Sequence, residues 1–204
     1  MRRRFPLPSL LAIALALTAT SAQAADTKDW VQPPAQLPHA QTGDPTQNLD
    51  FLFDALKIAP DDETARAIER RIWAVWFVSP SDTANLLMSR VRKAVEDKDL
   101  DLALQLLDAI VKIRPDYIEA WNRRATIYFM KNDYGKSLAD IRHVLKLEPR
   151  HFGALSGLGL ILQELGDDRH ALDVYRRTLE IYPRIQRVPE TVKTLEEKVE
   201  GKDI

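Results

Sequence analysis

From Asn48 onward the apolar positions recur at helical spacing. Leu49, Leu52, Phe53 and Leu56 share one face, and Pro60-Asp61-Asp62 then breaks that helix and caps the next. The second helix carries Ala65, Ile68, Ile72, Trp73, Val75, Trp76 and Phe77 before Ser79-Pro80 ends it. So apolar a surface must pack on neighbouring elements rather than face water. Three more regular hairpins follow, with helices predicted over 82–96 and 100–113, 116–131 and 134–147, and 150–165 and 168–181. Their turns, Lys98-Asp99, Asn132-Asp133 and Gly166-Asp167-Asp168, supply polar caps, and Gly166 suits the left-handed conformation that ends a helix. Beyond Pro183 and Pro189, Val192, Leu195 and Val199 share a face and predict a closing helix at about 189–200. The expected fold class is all-α, a solenoid of stacked antiparallel hairpins over about 47–200, with that last helix covering the end of the stack.

Punctuation supports the stacking. Pro115, Pro149 and Pro183 stand 34 residues apart, so units of equal length can be drawn at 84–117, 118–151 and 152–185 with the proline at position 32. Positions 4, 8, 11, 20 and 24 then hold Trp121, Ala125, Tyr128, Ser137 and Ile141 in the middle unit. They hold Leu155, Gly159, Leu162, Ala171 and Tyr175 in the last, and Leu87, Val91, Ala94, Ala103 and Leu107 in the first. Large and small side chains alternate because paired helices close only where bulk on one meets a gap on the other. Period and slots together resemble the tetratricopeptide repeat (TPR). Residues 47–80 match in length and hairpin pattern and read as a degenerate first repeat, its first helix shortened by Pro60.

The resemblance implies a protein-binding surface. In TPR proteins the first helix of each unit lines a concave groove, with positions 2, 5, 9 and 12 facing the ligand. Here the resemblance places Asn85, Met88, Arg92 and Val95, then Glu119, Asn122, Thr126 and Phe129, then Gly153, Ser156, Leu160 and Gln163 at those positions, with Arg123 beside them at position 6. A subclass that grips a C-terminal carboxylate uses positions occupied here by Met88, Arg92, Arg123, Gly153 and Gly157, so most of that clamp is missing. Arg90 and Arg124 stand at position 7, where the family has leucine. A cation at this inner layer must be paired or must reach water along its stem. The functional alternative is a cationic patch of Arg90, Arg92, Arg123 and Arg124 for an acidic peptide or envelope polymer. Trp73, Trp76 and Phe77 are either core or a second, exposed docking surface.

Composition narrows the function class. The chain has 204 residues, 45% hydrophobic and 29% charged, with a formal charge of −1, so no strong field invites nucleic acid. Without cysteine there are no thiolate nucleophiles, thiolate metal sites or disulfides. His39, His143, His151 and His170 are scattered without ligand spacing, and Gly157-Leu158-Gly159 lies within a helix-packing slot rather than a phosphate loop. No catalytic, cofactor or metal site is expected.

Arg2, Arg3 and Arg4, the apolar run Leu10 to Leu17 and Ala22-Gln23-Ala24 read as a secretory signal peptide over 1–24, whose removal takes the formal charge to −4. The run is too short for the ~20 residues of a membrane span. Pro33, Pro34, Pro38 and Pro45 mark 25–46 as an extended, flexible linker. This layout is similar to that of periplasmic TPR proteins of alphaproteobacteria, a resemblance that implies a role in envelope integrity. The expectation is a non-catalytic periplasmic adaptor that binds another envelope protein or peptide segment, with no nucleic-acid partner and no stable membrane insertion. An accessory subunit of a periplasmic enzyme and a self-assembling structural envelope protein are the alternatives, and a homo-oligomer stays open.

Overall fold

Aspartate punctuates the chain at the same point in every regular unit. Asp99, Asp133 and Asp167 each cap a helix, accepting hydrogen bonds from the backbone N–H groups of Leu102, Lys136 and His170. The residue before each, Lys98, Asn132 or Gly166, is left-handed, with φ of 61°, 58° and 76°. Each preceding helix therefore closes with a bond from the aspartate N–H back to the carbonyl of Ala94, Tyr128 or Leu162. The computed structural model describes residues 48–201; the expected leader and the proline-rich stretch lie outside the described residues. Among those described there are helices and no strands.

The helices are α1 (Leu49–Lys57), α2 (Asp62–Phe77), α3 (Asp82–Glu96), α4 (Leu100–Ile113), α5 (Ile118–Met130), α6 (Tyr134–Leu147), α7 (Phe152–Glu164), α8 (Asp168–Ile181) and α9 (Val188–Val199). Helices α3 to α9 stack as the expected solenoid of antiparallel hairpins. Helices α5 and α7 start two residues later than the sequence pattern predicts, because the prolines do more than stop the preceding helix. Pro115, Pro149 and Pro183 each occupy the second position of a tight turn, closed by bonds from Tyr117 N to Arg114 O, His151 N to Glu148 O and Ile185 N to Tyr182 O. The two residues after each proline belong to that turn.

The two helices of each hairpin close through the alternation of bulk. At Gly159 an added Cβ would lie 2.5 Å from the Tyr175 ring, so position 8 must be small where position 24 is aromatic. In the unit before, Ser137 is small enough to approach α5 and donates its hydroxyl to the Ala125 carbonyl at 2.8 Å. Ile141, Val144, Leu155, Leu158, Leu162 and Leu172 continue one buried core through α6, α7 and α8. Helix α9 covers the far end of that core with Val188, Val192 and Leu195. Arg176 of α8 fixes its outer edge through Glu196 and Glu200 at 2.7 and 2.9 Å.

The α1–α2 hairpin has the length and antiparallel pairing of a repeat, but it is not seated as one. A preceding repeat would stack its second helix along α3; instead α2 crosses toward α5, while α1 lies against α8. Its core joins Leu52, Phe53, Leu56, Ile72 and Trp76 to Phe152 and Tyr182 from the other end of the array. The cause is the aromatic surface of α2, which finds its apolar complement there.

Gly159→Ala is expected to destabilise the protein by about 1–3 kcal/mol by overpacking, despite alanine's better helix propensity. Urea unfolding measures it, and a second substitution, Tyr175→Leu, should restore most of the loss.

Candidate partner-binding groove

The turns after the prolines build a row of grips on one side of the array. Tyr117, His151 and Ile185 are 34 residues apart, and all three touch the hairpin. Tyr117 donates its hydroxyl to the Phe77 carbonyl at 2.7 Å, and burial, aided by the Glu119 carboxylate, pushes its pKa up to about 12. The His151 ring stacks on Trp76 with centroids 4.0 Å apart and planes 13° apart. Its Nδ1 accepts from the Ala154 N–H, capping α7, so the proton of the neutral ring lies on Nε2, facing Glu119 Oε2 at 3.6 Å. The same repetition holds one position earlier. Arg150 pairs with Asp50 at 2.7 Å and with Glu148, and Arg184 pairs with Asp62 and donates to the carbonyls of Ala59 and Pro60. Tyr182 donates to Glu69.

The hairpin covers one end of the expected groove. Trp73 sits on Gly153, where an added Cβ would approach its ring to 2.9 Å. Phe77 lies under the Arg123 guanidinium, 4.8 Å from ring centroid to Cζ. Asn85 is turned to the α2–α3 connection, donating to the Ser79 carbonyl and accepting from the Ser79 N–H. Met88 is buried. Glu119 is 2% exposed and is surrounded by its own chain: Asn122 donates to it at 3.0 Å, and Arg123 Nε lies 3.2 Å away, at an angle that makes an ion pair but no hydrogen bond.

What remains open is a groove of about 730 Å³ between α2, α3 and α5. Trp73 and Phe77 form one wall, Val95 and Met130 lie opposite, and Asn122, Arg123 and Thr126 line it. A smaller hollow of about 410 Å³ adjoins it and shares Phe77 and Arg123, adding Asn85, Met88 and Arg92. Ser156, Phe129, Leu160 and Gln163 lie outside both linings. Leu160 is exposed, and Gln163 accepts the Tyr175 hydroxyl at 2.9 Å. Among the described residues no group of His, Asp, Glu or Cys is arranged to hold a metal, and no helix is long and apolar enough to cross a membrane.

Comparison with known proteins places this geometry. A family model described as tetratricopeptide repeat matches residues 118–151. A TPR repeat-containing protein of Rhizobium etli is 46% identical over 157 residues, covering 77% of each chain. The chain belongs to the tetratricopeptide repeat family. The fold is similar to that of the Sgt2 TPR domain from Aspergillus fumigatus, at TM-score 0.54 and 22% identity, covering 60% of this chain and 82% of that one. It is also similar to the first TPR of Spaghetti (RPAP3) bound to the HSP90 peptide SRMEEVD, at TM-score 0.56 and 19% identity, covering 59% and 95%. TPR proteins generally mediate protein–protein interaction, and the repeat serves as a scaffold for it.

Against the TPR frame, the two arginines at position 7 part company. Arg124 makes a two-pronged pair with Asp140, at 2.8 and 2.7 Å, and a third bond to Asp108 at 2.8 Å, joining α5 to both α6 and α4. Those bonds, Asp140's foremost, push its pKa well above the ordinary arginine range. Its cation also stands 4.6 Å from the Trp121 ring centroid. Arg90 is exposed. Of the proposed cationic patch, then, Arg124 is committed to the fold, while Arg92 and Arg123 meet at the smaller hollow. The grips at Tyr117, His151, Arg150 and Arg184 were not singled out by pattern. Their signal was their equivalence at positions 33 and 34, with a carboxylate or an aromatic supplied by the first hairpin.

Replacing Asp140 by alanine should cost roughly 3 kcal/mol, because it strands most of a half-buried charge. In a double-mutant cycle the pair Arg124→Met with Asp140→Leu should cost clearly less than the sum of the single changes, as read by urea unfolding. Gly153→Leu should drive a side chain into Trp73 and unseat α2. Hydrogen exchange is expected to show α2 amides losing about tenfold or more of their protection while α6 amides keep theirs. Gly157→Ala, whose added Cβ would meet only Ile141 at 3.6 Å, is the control that should change neither.

Proposed function

We propose that this protein is a non-catalytic adaptor of the periplasm, whose open groove receives a segment of another envelope protein and so supports envelope integrity or assembly. The observation that carries the reading is the preformed groove of about 730 Å³, walled by aromatic side chains on one side and helix faces on the other. Its walls are fixed before any partner arrives, so little ordering cost falls on the receptor. Apolar walls with a few polar groups are what a short recognition segment needs: burial for affinity and hydrogen bonds for register. The Spaghetti TPR, bound to a peptide, supports the same use of the fold here. The secretory pattern at the N-terminus, with its three arginines and short apolar run, supports the compartment.

A photo-crosslinking residue at Thr126, exposed in the groove, and another at Gln105, exposed on α4 outside it, test the reading in intact cells. The expected result is a discrete adduct from position 126, absent from 105, recovered in the periplasmic fraction and containing a second envelope protein. Equal labelling from both positions, or an adduct made only of two copies of this chain, would overturn it.

A further inference from the structure

The lining of the groove is unbalanced in charge. Arg70 on α2 and Arg123 on α5 border the larger cavity, and Arg92 on α3 borders the hollow that continues it. Against these three guanidiniums the linings hold one carboxylate, Glu119, which is 2% exposed and already committed to Asn122 and Arg123. Arg70 and Arg92 are exposed and have no ion pair among the described residues. Elsewhere on the molecule Arg114, Arg150, Arg176 and Arg184 each hold a carboxylate of the same chain. Arg66, Arg71, Arg90 and Arg169 are also exposed without an ion pair among the described residues, but of the unpaired arginines it is Arg70 and Arg92 that border the groove or its hollow.

From this juxtaposition we infer that the groove selects an acidic, amphipathic peptide segment, with apolar side chains against Trp73 and Phe77 and carboxylates on Arg70 and Arg92. The inference rests on the adaptor reading and adds the chemistry of the partner. Each guanidinium offers a planar fork of donors that matches a carboxylate, and the adjoining apolar wall lowers the local dielectric in which they meet. A basic segment would meet unpaired like charge, and an uncharged one would cover both arginines without compensating them. The recognition set is also a composite: Arg70, Trp73 and Phe77 come from the hairpin and Arg92 from the first regular unit. Seating the hairpin is therefore what assembles it.

The probe is a phage-displayed library of random peptides, panned on the purified full chain. Expected are enriched sequences combining two or more Asp or Glu with large apolar residues. Their affinity should fall about tenfold or more in Arg70→Glu with Arg92→Glu, weaken with salt, and stay unchanged in Arg169→Glu on α8. Thr126→Trp, which fills the groove, should abolish binding, and circular dichroism checks that each variant is folded. Peptides that need an open groove but carry no acidic bias, or ignore the double reversal, would overturn the acidic-partner inference and leave the adaptor reading standing. Peptides indifferent to Thr126→Trp, or no enrichment at all, would overturn both.

Discussion

The seam between α2 and the start of α7 sets what this molecule can offer to a partner. Trp76 stacks face to face on His151, and Trp73 stands edge-on to both His151 and Phe152 at 5.5 and 5.4 Å. Aromatic pairs in such arrangements contribute beyond the area they bury, about 0.5–1.5 kcal/mol each. The seam works only because Gly153 leaves room for Trp73 and because His151 is buried in a usable orientation. That orientation comes from the helix itself: Nδ1 is spent on the first turn of α7, and the ring edge that remains faces Glu119. One helix cap thus fixes a stacking platform, the platform fixes the hairpin, and the hairpin decides which part of the concave face stays open.

Ionic ties distribute this order along the array. Arg124 joins three helices from two successive units, and its partner Asp140 is itself buried, so the pair serves to lock register more than to add net stability. Arg150 and Arg184 do at the hairpin what Arg124 does inside the solenoid. Each brings its head group to an acid at a helix start, and the Arg150 guanidinium also lies over the Phe53 ring, 4.3 Å from its centroid. Asp50 and Asp62 lie in the first turns of α1 and α2, where a negative charge is already favoured by the helix dipole. Cap and ion pair therefore reinforce one another.

Much of this fold was legible in the chain, because its determinants are local and periodic. Helix faces, the aspartate caps, the left-handed turn residues and the small slot at Gly159 all follow from spacing and side-chain size. The expected obligation on Arg124 was also legible, since a cation at an inner layer needs a partner, though Asp140 and Asp108 could be named only in three dimensions. The seating of the first hairpin was not legible. Its length and amphipathic helices are those of a repeat, and nothing local distinguishes an element stacked at the end of a solenoid from one laid across its face. That choice is made by long-range complementarity, Trp73 to Gly153 and Tyr182 to Glu69, between residues some hundred positions apart in the chain. For the same reason the groove residues divide: Thr126 and Arg92 are available, while Asn85 is tied to the α2–α3 connection and Met88 is buried in the core of α3, α4 and α5, each only bordering the smaller hollow.

Because the hairpin both narrows the groove and furnishes one of its walls, stability and recognition are coupled in this protein. A scaffold whose concave face is lined only by repeat helices can lose an end unit and keep most of its binding surface. Here the wall bearing Trp73 and Phe77 is held by Tyr117, His151, Arg150 and Arg184, none of which borders the open groove at Thr126. Energy spent on seating α2 is thus felt at a surface those residues do not touch. The positions one and two residues past the prolines govern the recognition surface indirectly, by deciding whether its non-repeat half is in place.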